Sequence, residues 1–101
     1  MNIITVQELK SKLDANPNVH LIDVREPQEN AVFNIGGILL PLGKIQTMQI
    51  DDIEDLRTEE VIVYCRSGNR SGQACMILEQ LGFTNVSNLQ GGMLEWEATI
   101  K

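Results

Sequence analysis

The stretch Val61-Ile62-Val63-Tyr64-Cys65-Arg66-Ser67-Gly68-Asn69-Arg70-Ser71 decides the fold of this chain. Val61 to Tyr64 is a run of residues that favour a buried strand. From Ser71 to Leu81, the apolar residues Ala74, Ile77, Leu78 and Leu81 fall at helical spacing. The residues between form a short, Gly-containing loop opened by a cysteine. Strand, loop and helix in that order place a thiol at a strand's carboxyl end, beside a helix N-terminus. Free backbone N–H groups and the positive end of the helix dipole favour negative charge there. Arg66 and Arg70 add positive charge. All of these favour the thiolate, the reactive form of cysteine.

Outward from this segment, strand-like and helix-like stretches alternate. Ile3-Ile4 reads as a short strand. Thr5-Val6-Gln7-Glu8 has capping-box spacing and predicts a helix to about Leu13. Pro17-Asn18 is a turn and residues 19–24 a buried strand. Glu26-Pro27 opens a helix, with proline in the first turn, that ends before Gly36-Gly37. Residues 38–42 read as a short strand followed by a turn at Gly43. Residues 46–56 read as a helix with an acidic exposed face. Gly82 suits a helix C-terminus, residues 86–89 form a last strand, and residues 93–100 a final helix with Trp96. Strands separated by helices imply an α/β fold with a largely parallel sheet. Ligand sites in such sheets lie beyond the carboxyl ends of the strands, where both Asp23 and Cys65 fall.

The 101 residues suit one domain, residues 1–101, and 43% hydrophobic content suffices for a small core. Fourteen acidic against eight basic side chains disfavour a nucleic-acid or anionic-membrane surface. The first nine residues lack the basic start and unbroken apolar core of a signal peptide. The expectation is a cytoplasmic protein, or a domain of one, with neither nucleic-acid nor membrane partners. The two cysteines, Cys65 and Cys75, and the single His20 match no metal-ligand spacing. No metal or organic cofactor is expected, and a Cys65–Cys75 disulfide is disfavoured in that compartment.

A thiolate without a histidine partner suits sulfur–sulfur exchange better than acyl transfer, which needs a proton shuttle. His20 opens its strand and should lie at the far end of the sheet. The thiolate can attack the outer sulfur of a small anionic donor such as thiosulfate, releasing sulfite and leaving a Cys65 persulfide. A thiophilic acceptor then removes the outer sulfur. The loop need only stabilise negative charge, which preorganised backbone donors do well. Cysteine phosphatases offer the rival chemistry, but they use Cys-x5-Arg. Cys65-x4-Arg70 is one residue short of that oxyanion cradle.

The chain resembles the single-domain rhodaneses, thiosulfate-type sulfurtransferases. The resemblance rests on Leu21-Ile22-Asp23-Val24-Arg25-Glu26-Pro27, the Val63–Ser71 segment, Gly82-Phe83-Thr84-Asn85-Val86, and Leu89-Gln90-Gly91-Gly92-Met93-Leu94-Glu95-Trp96. It implies a three-layer α/β/α domain and a sulfur-carrying Cys65 cradled by Arg66, Ser67, Gly68, Asn69 and Arg70. Implied acceptors are a thiol, cyanide or a sulfur-carrier protein; alternatively the domain carries persulfide for a partner. Phe33-Asn34-Ile35-Gly36-Gly37-Ile38 departs from the family's frequent Gly-His-Ile-x-Gly-Ala. Its spacing to Pro41-Leu42 is also one residue shorter, a form similar to rhodanese domains attached to enzymes that adenylate sulfur-carrier proteins.

Other residues have competing assignments. Asp23 and Arg25 can bind substrate or, as preferred here, brace the loop as a charged pair. Arg70 sits where a cation opposes the helix dipole, which points to anion binding. Cys75 is read as a packing thiol rather than a resolving one. The Asp51-Asp52-Ile53-Glu54-Asp55 run is read as a solvated helix face, and Phe83 and Trp96 as packing residues.

Overall fold

The computed structural model describes residues 1–100. Five strands form one sheet: β1 (Asn2–Ile4), β2 (His20–Asp23), β3 (Ile38–Leu39), β4 (Glu60–Tyr64) and β5 (Asn85–Leu89). Their order is β1-β5-β4-β2-β3, and every pairing is parallel. The helices are α1 (Val6–Ala15), α2 (Pro27–Val32), α3 (Leu42–Gln46), α4 (Asn69–Gln80) and α5 (Gly92–Thr99), with a 3₁₀ segment at Asp51–Leu56.

The period-two alternation of β4 divides the core into two layers. Val61 and Val63 pack on one face with Ala74, Cys75 and Leu78 of α4 and Ile45 of α3. Ile62 and Tyr64 pack on the other with Val6 and Leu9 of α1 and Met93 and Trp96 of α5. Each of the valine, leucine, isoleucine and methionine side chains among these, taken fully out of water, contributes about 1.5–3 kcal/mol. The sheet thus lies between helices on both faces, the three-layer α/β/α arrangement expected from the sequence. Among the described residues no helix is long and apolar enough to cross a membrane.

Thr5 caps α1 with the anticipated capping box: Glu8 N–H donates to Thr5 Oγ1, and Thr5 N–H to Glu8 Oε1. The helix extends two residues past Leu13, to Ala15. Two expectations need correction. The strand read over residues 38–42 is only Ile38–Leu39, and Gly43 lies inside α3 rather than in a turn. The helix read over residues 46–56 is also absent. Met48, at φ 60°, ends α3, and a separate 3₁₀ segment follows. Ile50, Ile53 and Leu56 recur every third residue. With three residues per 3₁₀ turn, that spacing keeps one apolar face on the core. The acidic residues Asp51, Asp52, Glu54 and Asp55 point to solvent, as expected.

Candidate active site

Asp23 and Tyr64 are register partners at the carboxyl ends of β2 and β4, so Cys65 emerges beside Asp23. After Cys65 the chain turns through Gly68, whose φ of 102° places it in the left-handed region and makes it the N-cap of α4. A glycine has no side chain to cap the helix. The cysteine sulfur takes that role: Ser71 N–H, in the first turn of α4, donates to Cys65 Sγ at 3.3 Å. Gly68 N–H donates to the same sulfur at 3.1 Å, and the Ser71 hydroxyl oxygen lies 3.3 Å from it.

Burial pushes the Cys65 thiol up, but hydrogen bonds from the Ser71 hydroxyl and from the backbone of Ser71, Gly68 and Ser67 outweigh it. The net displacement is downward, toward thiolate.

The other side of the loop is clasped by α5. Met93 N–H donates to the Cys65 carbonyl at 2.9 Å and Leu94 N–H to the Arg66 carbonyl at 3.0 Å. Gly92, at φ 56°, permits this approach. A Cβ there would lie 2.5 Å from the Cys65 carbonyl oxygen and 2.6 Å from that of Arg66. From β5, Asn88 Nδ2 donates to the Gly68 carbonyl and Ser71 Oγ donates to Asn88 Oδ1. The loop is therefore held by backbone and buried polar groups from three directions.

The charged residues divide into committed and free. Arg70, in the first turn of α4, makes a two-pronged pair with Glu29 of α2, Nη1–Oε1 at 2.7 Å and Nη2–Oε2 at 2.9 Å. The Arg70 guanidinium, aided by the Glu26 backbone against the penalty of burial, lowers the Glu29 carboxyl to about 2. Arg70 remains near enough to Cys65 for their charges to interact. Arg66 has no ion-pair partner among the described residues and is exposed beside the cradle. Ser67 and Asn69 are exposed on the rim of the loop.

Asp23 and Arg25 are both buried and paired, with Arg25 Nη2 2.8 Å from Asp23 Oδ2. Their remaining bonds go to the α2 region, through Arg25 Nη2 to the Phe33 carbonyl and Asn30 Nδ2 to Asp23 Oδ2. These side-chain bonds tie the pair to α2, the helix whose Glu29 holds Arg70. Asn34 bonds the Asn30 carbonyl and Gly36 N–H, closing the end of α2. His20 opens β2 at the opposite end of the sheet, beside Glu59. Cys75 is buried in α4, and both cysteines are free thiols.

A cleft of about 310 Å³ adjoins the cradle. Val32, Phe33, Met93 and Leu94 form its apolar wall, and Arg25, Arg66, Glu29 and Glu97 its charged edge. Sequence reasoning missed two residues. Ser71 directly follows the loop and touches the sulfur. Asn88 is a polar residue within the otherwise buried run of β5, and such a residue needs a partner.

Residues 5–99 match the model of the rhodanese-like domain. The chain belongs to the rhodanese-like family. This rhodanese-like chain is 40% identical over 110 residues to a Schizosaccharomyces pombe protein named "Putative thiosulfate sulfurtransferase, mitochondrial", covering 95% of the chain and 75% of the relative. It is 38% identical over 97 residues to a protein of Allochromatium vinosum named sulfurtransferase, covering 95% and 88%. The crystal structure of a rhodanese-like domain protein from Staphylococcus aureus superposes with a TM-score of 0.83 at 31% identity, covering 95% of this chain and 91% of that one.

Proposed function

We propose that this rhodanese-like chain is a sulfurtransferase in which Cys65 carries the transferred sulfur as a persulfide. The observation that carries this reading is the sulfur's own environment. Sγ receives two backbone N–H bonds and faces the Ser71 hydroxyl within a loop too short for the Cys-x5-Arg oxyanion cradle. The thiolate attacks the outer sulfur of a thiosulfate-type donor, and sulfite departs with the electron pair of the broken S–S bond. Negative charge passes to the new terminal sulfur. A thiolate or cyanide acceptor then attacks that sulfur, and Cys65 leaves as the thiolate.

Arg66 attracts the anionic donor, because its charge is unpaired, whereas both terminal nitrogens of Arg70 already hold Glu29. The apolar wall beside the cradle gives an organic thiol or the terminal segment of a sulfur-carrier protein a surface to rest on. The function is tested by intact mass after incubation with thiosulfate and then with a reductant. One added sulfur, removed by the reductant and absent from Cys65→Ser, is the expected result. A fully reduced, accessible Cys65 that gains nothing from thiosulfate or from a persulfide donor would overturn it.

A further inference from the structure

One buried side chain of β5, Asn88, fastens the Cys65 cradle from behind. Its Nδ2 donates to the Gly68 carbonyl at 3.1 Å. A carbonyl only accepts, so the orientation of the amide is fixed and Oδ1 must face Ser71. The Ser71 hydroxyl donates to that Oδ1. The same hydroxyl oxygen lies 3.3 Å from Cys65 Sγ. A hydroxyl has one proton, which cannot serve both acceptors at once.

We propose that Asn88 is a positioning residue which, through Ser71, forms a two-position hydrogen-bond switch matched to the sulfur load on Cys65. While Sγ is a thiolate, the Ser71 proton points to it. Once Sγ carries a second sulfur, the proton points to Asn88 Oδ1. This deepens the sulfur-transfer reading and rests on it. In loading, an S–S bond forms between Sγ and the outer sulfur of the donor. The donor's own S–S bond breaks and sulfite leaves with its electron pair, so that Sγ, now bonded, is uncharged and the negative charge of the persulfide rests on the terminal sulfur that the donor brought. Sγ then no longer needs the hydroxyl donor, and Asn88 accepts it. In unloading, the charge returns to Sγ and the hydroxyl turns back. In the thiolate state Asn88 Oδ1 lacks the Ser71 proton, so Asn88 tilts the balance toward the loaded form.

A double-mutant cycle isolates the switch from the separate bond to Gly68. Wild type, Asn88→Ala, Ser71→Ala and the double variant are equilibrated at fixed thiosulfate-to-sulfite ratios, and the loaded fraction is read by intact mass. With Ser71 present, Asn88→Ala should lower the loading constant about five-fold, the effect of an ordinary net hydrogen bond. In the Ser71→Ala background the same substitution should change it less than about two-fold. Equal shifts in both backgrounds would assign Asn88 to the Gly68 bond alone, and no shift in either would remove its role; each outcome overturns the switch. Asn88→Leu, of similar volume, takes its place in the cycle if Asn88→Ala does not fold.

The pH dependence of Cys65 alkylation in the same four proteins supplies a readout independent of sulfur transfer. Asn88→Ala should lower the alkylation midpoint more with Ser71 present than without it, because Oδ1 favours the uncharged sulfur. Equal shifts would overturn the switch. Arg70 and Cys75 are the other titratable groups whose charge reaches Cys65, and the cycle leaves both unchanged. If thiosulfate loads not even the wild type, the choice of donor fails, while the alkylation cycle still decides whether Asn88 acts through Ser71.

Discussion

Two buried cysteines lie ten residues apart on one strand–loop–helix unit, and the structure gives them opposite chemistry. Cys65 is 1% exposed and Cys75 0%, so burial does not distinguish them. Hydrogen-bond donors do. Cys65 stands at the end of β4, where the unpaired N–H groups of the loop and of α4 converge on its sulfur. Cys75 lies within α4, where the backbone N–H groups are already spent on the helix. There burial, reinforced by the charge of Glu79, pushes the thiol up to about 12. Burial alone makes a cysteine inert; burial against oriented amides shifts it toward the thiolate.

The largest test of this contrast exchanges the two. Cys65→Ser should abolish sulfur loading and turnover, whereas Cys75→Ala should keep loading within about two-fold, as a substitution acting on stability alone does. Loss of loading in Cys75→Ala with a normally folded protein would make Cys75 a partner in the chemistry. The second test is selective alkylation. At pH 8 a thiol with its midpoint near 12 is ionised to only about one part in 10⁴. Peptide mapping after brief iodoacetamide treatment should therefore find label on Cys65 alone. Comparable label on Cys75 would break the contrast.

The third test concerns stability. Cys75 holds its proton more tightly folded than unfolded. Its contribution is intact below the unfolded midpoint near 8.5 and declines as pH rises from there toward about 12. Wild type should lose about 2 kcal/mol between neutrality and pH 10 relative to Cys75→Ala. Parallel urea-denaturation curves for the two proteins across that range would contradict it. The smallest effect is expected at the arginines. Arg66→Ala should raise the KM for thiosulfate about five-fold, a single charge contact's worth. Arg70→Ala should raise it less and lower the melting temperature instead, because it strands Glu29. A larger KM effect from Arg70→Ala would show that its charge reaches the donor despite the pairing.

The legible parts of the chain were those governed by local rules. The capping box at Thr5, the apolar run of β4 and the helix after the loop can each be read from neighbouring residues, and all three are present. The position of Cys65 followed from them. Residues 46–56 were not legible, because a spacing of three suits a ragged α-helix and a 3₁₀ segment alike. The choice depends on Met48 turning into the left-handed region, which no residue there announces. The partners of the site were equally hidden. Glu29 is 41 residues from Arg70, and Asn88 is 17 from Ser71. Sequence shows that a buried asparagine or a misplaced arginine needs a partner, but only tertiary contact supplies one.

The clasp between Gly92 and the Cys65 loop bears on the order of events during synthesis. The donors that stabilise the thiolate depend on a loop shape fixed by Asn88 and by the N–H groups of Met93 and Leu94. All three are made well after Cys65 itself. A growing chain that has delivered Cys65 but not yet α5 therefore carries an ordinary, weakly nucleophilic thiol. Reactivity is acquired last, once the surrounding walls are in place, and the nascent cysteine passes through synthesis without the low-pKa character that invites oxidation.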